Sequence, residues 1–141
     1  MATFKRPLLA LLISPDQGER RAILEGRLKI SVREGYRDGY DPGRPVMICC
    51  HLDPWCVMAT ITASRHCLLS EVTEEERSDH GFASREDLLA GIRRFYPAMG
   101  WDSAVTVIRW DSVCGKLVEN WAEFRKSSSW VLQDSPPESS F

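Results

Sequence analysis

Polar and apolar residues alternate with period two from Arg27 to Arg33. In an extended strand such alternation sends Leu28, Ile30 and Val32 to one face and Arg27, Lys29, Ser31 and Arg33 to the other. The first face belongs to a core. The second carries three cations and a hydroxyl, a donor-rich surface for a phosphate or a carbonyl, the plain alternative being a solvated sheet face. Upstream, the apolar run from Leu8 to Ile13 predicts a buried strand, because helix-start signals close it: Ser14 as N-cap, Pro15 as first helical residue, Gln17 completing a capping box. The helix runs to about Glu25, and Gly26 supplies a left-handed stop. A strand, a helix and a second strand in this order bring the helix near the polar face of the second strand. That geometry predicts a cleft.

Turn formers crowd the stretch from Glu34 to Arg44, where Gly35, Gly39, Asp41, Pro42 and Gly43 predict an irregular loop. Tyr36, Arg37 and Tyr40 lie on it, an interleaving of aromatic and basic side chains that suits base stacking and phosphate binding. Tyrosines in such a loop can instead cover the mouth of a barrel. The stretches from Val46 to Cys50 and from Cys56 to Ala63 predict an antiparallel hairpin, with His66 to Leu69 as a candidate continuation of the sheet. Glu71 to His80 is acidic and reads as a helical turn or a solvated loop. Ser84 and Asp87 cap a further helix, whose stripe Leu88, Ile92, Phe95 and Tyr96 has helical spacing and ends at Pro97. Ala104 to Trp110 is the last predicted strand. Leu117 to Lys126 predicts an amphipathic helix, and residues 127–141 a Ser- and Pro-rich mobile tail carrying Trp130. The whole predicts one α+β domain over 1–126, in which about five or six strands curl into a small barrel with helices packed at its ends.

Composition narrows the chemistry. The 141 residues suffice for a core without staples, and the net charge of −2 argues against tight, non-specific duplex binding. Residues 1–44 carry nine cations against six anions, whereas Glu71 to Asp87 is acidic. Nucleic-acid contacts therefore belong to the N-terminal half. The five cysteines are an odd number, and Cys49, Cys50, His51, Cys56, His66 and Cys67 lack the paired spacing of a zinc site. Reduced, core-packed thiols with no metal and no cofactor are the expectation. No segment reaches the ~20 apolar residues of a membrane span, so a cytoplasmic protein without membrane partners is expected.

In order along the chain, Ile23-Leu24-Glu25-Gly26, Ser31-Val32-Arg33, Tyr40-Asp41-Pro42-Gly43, His80-Gly81-Phe82, Phe95-Tyr96-Pro97 and Val105-Thr106-Val107-Ile108 resemble the ASCH domain, a branch of the PUA-like superfamily. The resemblance covers about residues 8–111. It implies a PUA-like β-barrel with a cleft between barrel and helices that binds RNA or modified nucleobases. One enzymatic branch removes acetyl groups from acetylated cytidine with a Lys, a Thr and a Glu. The Thr of that branch falls on Ser31, the Arg of the same motif on Arg33, the Lys on Leu28, and the Glu beside Gly81, next to Asp79 and His80.

Two chemistries follow. In the first, a basic cleft binds single-stranded RNA or a nucleoside-type small molecule: Arg27, Lys29 and Arg33 hold phosphate or a base carbonyl, Ser31 adds a hydrogen bond, Tyr36 or Tyr40 stacks, and Glu34 or Asp41 accepts from an exocyclic amine. In the second, an amidohydrolase acting on acylated cytidine-like nucleosides uses Ser31 as nucleophile and Lys29 as its base, with Cβ atoms roughly 6 to 7 Å apart on one strand face. A partner-binding module without nucleotide activity is the third alternative.

Overall fold

The computed structural model describes residues 9–13, 17–50 and 55–116. Five strands, β1 (Ala10–Ile13), β2 (Ile30–Glu34), β3 (Pro45–Cys50), β4 (Trp55–Leu68) and β5 (Ala104–Lys116), form one sheet in the order β1-β3-β4-β5-β2. Only the β1–β3 pairing is parallel; the other ladders are antiparallel. Among the described residues three helices, α1 (Gln17–Leu24), α2 (Glu74–His80) and α3 (Arg85–Arg93), complete an α+β half-barrel, in line with the small barrel with helices at its ends expected from the element order.

Length and irregularity curl the sheet. β4 and β5, of 14 and 13 residues, pair along most of their length. Register shifts at Val57/Met58, Met58/Thr60 and Ile61/Ala63 interrupt their ladder, and such bulges increase local twist and bend a strand. The two edge strands, β1 and β2, are thereby brought face to face. Among the described residues, no strand pairs with this edge of β1. Side chains finish the ladder instead: Arg33 Nη1 donates to the Leu12 carbonyl at 2.8 Å and Tyr40 Oη donates to the Ala10 carbonyl at 3.0 Å. Carbonyls two residues apart on a strand point the same way, so these two donors cap one continuous edge.

The main core lies inside the curl, with Leu11, Ile48, Val57, Ile61 and Trp110 among its buried members. A second cluster, including Ile30, Val32, Leu69, Leu88 and Ile92, joins β2 and β5 to the helices. β2 is consequently buried on both faces: Ser31 is 8% and Arg33 6% exposed, against 1% for Ile30 and 6% for Val32. The strand also begins later than the alternation suggests. After Gly26, at φ 75°, the amides of Arg27 and Leu28 both bond back to the Ala22 carbonyl, so these residues close the helix and do not extend the strand.

Two further expectations are refined. The acidic stretch is helical because Thr73 and Glu76 form a reciprocal capping box at the start of α2. Burial alone would raise the carboxyl pKa of Glu76, but the Arg65 guanidinium, bonded at 2.6 and 3.0 Å, and the Thr73 amide hold it below the ordinary value. The expectation of reduced thiols is corrected for one pair: Cys49 and Cys56 are direct partners in the β3–β4 register, with Cα atoms 4.2 Å apart, and form a disulfide. Cys50, Cys67 and Cys114 are free. The Ser14 cap, the loop from His51 to Pro54, the helix expected over 117–126 and the tail over 127–141 lie outside the described residues. Among the described residues, no helix is long and apolar enough to cross a membrane.

Candidate functional site

The cleft predicted between α1 and β2 exists. It opens where the end of β1, the polar side of β2, the first turns of α1 and the C-terminal ends of α2 and α3 meet, with Glu19, Ser31, Arg33, His80, Phe82 and Tyr96 on its walls. Its interior volume is about 60 Å³. That is room for a few waters or for the edge of a planar group, with the rest of a larger ligand at the open mouth.

The polar wall is built by β2. Arg33 Nε donates to Ser31 Oγ at 2.7 Å, and the same guanidinium holds the Leu12 carbonyl. Accepting that bond leaves the Ser31 O–H to donate into the cleft. The aromatic wall is built by the turn after α2. Gly81, at φ 97°, reverses the chain in the left-handed conformation, and Arg77 clamps the turn through Nη1 to the Phe82 carbonyl at 2.6 Å. This stacks the His80 ring on Phe82, with centroids 4.7 Å apart and planes inclined at 26°. Phe82 in turn lies directly on α3 at Gly91, where a Cβ would stand 2.3 Å from the ring.

Desolvation by these neighbours pushes the pKa of His80 down, and the positive charge of Arg33 pushes it further in the same direction. The ring is therefore neutral at pH 7, with one nitrogen to donate and one to accept. A folded-state pKa below the unfolded value means that the unfolded chain binds the proton first as pH falls. The stabilising contribution is complete above about pH 6.5, the unfolded value, and is lost as pH falls through the folded pKa. Urea unfolding between pH 7.5 and pH 5 should show this slope. His80→Gln should flatten it, and an unchanged slope in that variant would count against the burial of the ring.

Of the residues expected to act together, the cleft collects Ser31 and Arg33. Lys29 and Arg27 stand apart, because they precede the strand. Lys29 Nζ is 3.7 Å from Asp111, Arg27 pairs with Glu25 at 2.7 Å, and both line a separate depression with Arg109 and Asp79. The expected single face of three cations and a hydroxyl is thus divided, and the Ser31–Lys29 dyad is not assembled. Asp79 bonds Arg109 at 2.9 Å on that other side, whereas its neighbour His80 lines the cleft. Tyr40 is 3% exposed and belongs to the core, so burial and its bond to Ala10 correct the base-stacking alternative in favour of a covering role. Glu34 and Tyr36 are exposed, and Asp41 lines a shallow surface groove with Arg37, Arg65 and His66.

Glu19, Phe82, Phe95 and Tyr96 complete the cleft but carried no site signal of their own in sequence. The tripeptides His80-Gly81-Phe82 and Phe95-Tyr96-Pro97 were the signal that could have found three of them, because each marks a helix end next to aromatic residues.

No family model matches the sequence, and no curated protein matches it. Solved structures do. The ASCH protein of Zymomonas mobilis aligns with TM-score 0.62 at 12% identity over 92% of this chain and 82% of its own. A serine-to-alanine mutant of that protein aligns with TM-score 0.64 at 10% identity over the same shares. The ASCH domain of Lactobacillus crispatus aligns with TM-score 0.53 at 12% identity, covering 79% of this chain and 80% of its own. The chain has the ASCH-domain fold.

Proposed function

We propose that the chain binds a nucleobase, presented by single-stranded RNA or by a nucleoside, in the cleft of β2. The observation that carries this is the hydrogen-bonded pair of a buried guanidinium and a hydroxyl at a cleft wall, facing the stacked rings of His80 and Phe82. A flat, polar-edged ring matches that arrangement: its edge enters the cleft with a carbonyl accepting from Ser31, while one face meets the aromatic wall. The ASCH-domain fold supports the same ligand class, since the resemblance implies RNA or modified nucleobases. Titration calorimetry of ribonucleosides against wild type and Ser31→Ala tests it. The variant should bind about tenfold more weakly, the effect of losing one hydrogen bond in a desolvated site. Equal affinity in the two proteins would overturn the assignment.

A second reading, hydrolysis of acylated cytidine-like nucleosides, is favoured by one observation. The Ser31 hydroxyl and the imidazole of His80 line the same cavity, so the proton acceptor that Lys29 cannot be from its surface position would be the neutral histidine. Turnover of acetylated cytidine that is lost in both Ser31→Ala and His80→Gln would support it.

A further inference from the structure

Tyr36 is 54% exposed, yet nothing about it is loose. Its ring stacks on His66 with centroids 4.9 Å apart and planes within 12° of parallel. The backbone on both sides is pinned through one fully buried side chain: Thr106 Oγ1 donates to the Gly35 carbonyl at 2.7 Å and accepts from the Arg37 amide at 2.8 Å. Gly35 N also donates to the Ala104 carbonyl at 2.8 Å, and His66 Nε2 lies 2.9 Å from the Arg37 carbonyl. An aromatic face held flat in water gains nothing for the fold from its exposed side. It is a pre-organised stacking surface.

Its position relates it to the cleft. Arg37, the next residue, reaches Tyr96 Oη through Nη2 at 3.5 Å, and Tyr96 is part of the cleft wall. A guanidinium adjacent in sequence to the platform thus touches a wall residue of the cleft. The cleft's small volume leaves the sugar and phosphate of a bound nucleotide outside it, and Arg37, in contact with the wall residue Tyr96, is a cation next to that wall.

Resting on the nucleobase reading above, we propose that the physiological ligand is a single-stranded RNA segment, not a free nucleoside: one base inserts its edge into the cleft, the neighbouring base stacks on Tyr36 backed by His66, and the phosphate between them meets Arg37. The platform would supply affinity without base preference, because every base has a π-face, while the cleft would supply selectivity.

The test compares ribonucleosides with ribodinucleotides containing the same base, by titration calorimetry at fixed salt, in wild type, Tyr36→Ala and Tyr36→Phe. A dinucleotide should bind wild type about tenfold more tightly than the nucleoside, consistent with one base stacked on an aromatic ring. Tyr36→Ala should erase that gain and leave nucleoside affinity unchanged, and Tyr36→Phe should retain it, since the ring and not the hydroxyl is used. The proposal falls if the dinucleotide has no advantage, or if Tyr36→Ala weakens nucleoside and dinucleotide equally. Nucleosides that bind wild type with no dinucleotide gain defeat the platform alone. Nucleosides that bind equally to wild type and Ser31→Ala defeat the cleft assignment, and absence of binding by every RNA probe defeats both and favours a protein partner for Tyr36.

Discussion

Arg33→Leu is expected to lower stability by about 2–4 kcal/mol, the largest effect of any single substitution in the cleft. The guanidinium is 6% exposed and makes two bonds that leucine cannot, to Ser31 Oγ and to the Leu12 carbonyl. The serine can re-aim its hydroxyl. The Leu12 carbonyl is held in place by the parallel ladder of β1 with β3, and losing its hydrogen bond from a charged guanidinium costs about 1.5–3 kcal/mol. Tyr40→Phe removes the companion bond to Ala10 and should cost less, about 1 kcal/mol, because the lost donor is an uncharged hydroxyl and the ring still fills its site. Urea denaturation of the two variants beside wild type reads the comparison. A second readout is independent of stability: with the Arg33 charge gone, the pKa of His80 should rise towards its ordinary value, measurable by histidine NMR titration of the folded variant. An Arg33→Leu protein as stable as wild type would mean that the two sheet edges do not depend on this guanidinium.

Gly91→Ala is the second large effect, and its sign runs against helix propensity. In an exposed helix interior the change would stabilise by about 1 kcal/mol. Here the new Cβ would lie 2.3 Å from one Phe82 ring carbon and 2.7 Å from the next, inside any tolerable contact. Overpacking of this kind costs about 1–3 kcal/mol, so a net loss is expected. The functional loss should be larger than the loss of stability. Phe82 must tilt away from α3, and His80, stacked on it, must follow, which deforms the aromatic wall of the cleft. Nucleoside affinity should fall at least about tenfold, if that wall stacks on a base. The double variant Gly91→Ala/Phe82→Ala should show strong non-additivity in stability, because removing the ring removes the clash. Additive losses would show that the two residues are not in contact.

Both variants act on side-chain contacts between different elements, and such contacts mark the boundary of what could be read from sequence. The period-two run, the apolar run from Leu8, the Gly26 stop, the turn cluster after Glu34 and the Ser84 cap are local signals, each set by the conformational preferences of a few adjacent residues. They determined the order of elements, the α+β class and the presence of a cleft beside β2. The cap of α2 was equally local: Thr73 and Glu76 have capping-box spacing, overshadowed by the acidity of the stretch. Alternation also correctly set Ser31 and Arg33 apart from Ile30 and Val32.

Tertiary structure decided the rest, because burial and partner choice depend on which segments meet. Lys29 left the cleft because two amides of the preceding turn bond back to α1, a competition that a polarity pattern does not record. Tyr40 became core because its hydroxyl donates to the Ala10 carbonyl on β1, and Tyr36 became a surface platform because β4 delivers His66 beneath it. Cys49 met Cys56 through the hairpin register. Phe82 found Gly91 across a helix boundary. Sequence alone determined the strands, the helices and the polar pair at the centre of the cleft. Its aromatic wall came from the packing of the turn after α2 on α3, its exclusion of Lys29 from the turn that closes α1, and the neighbouring platform from the β4–β5 ladder that carries His66 to Tyr36.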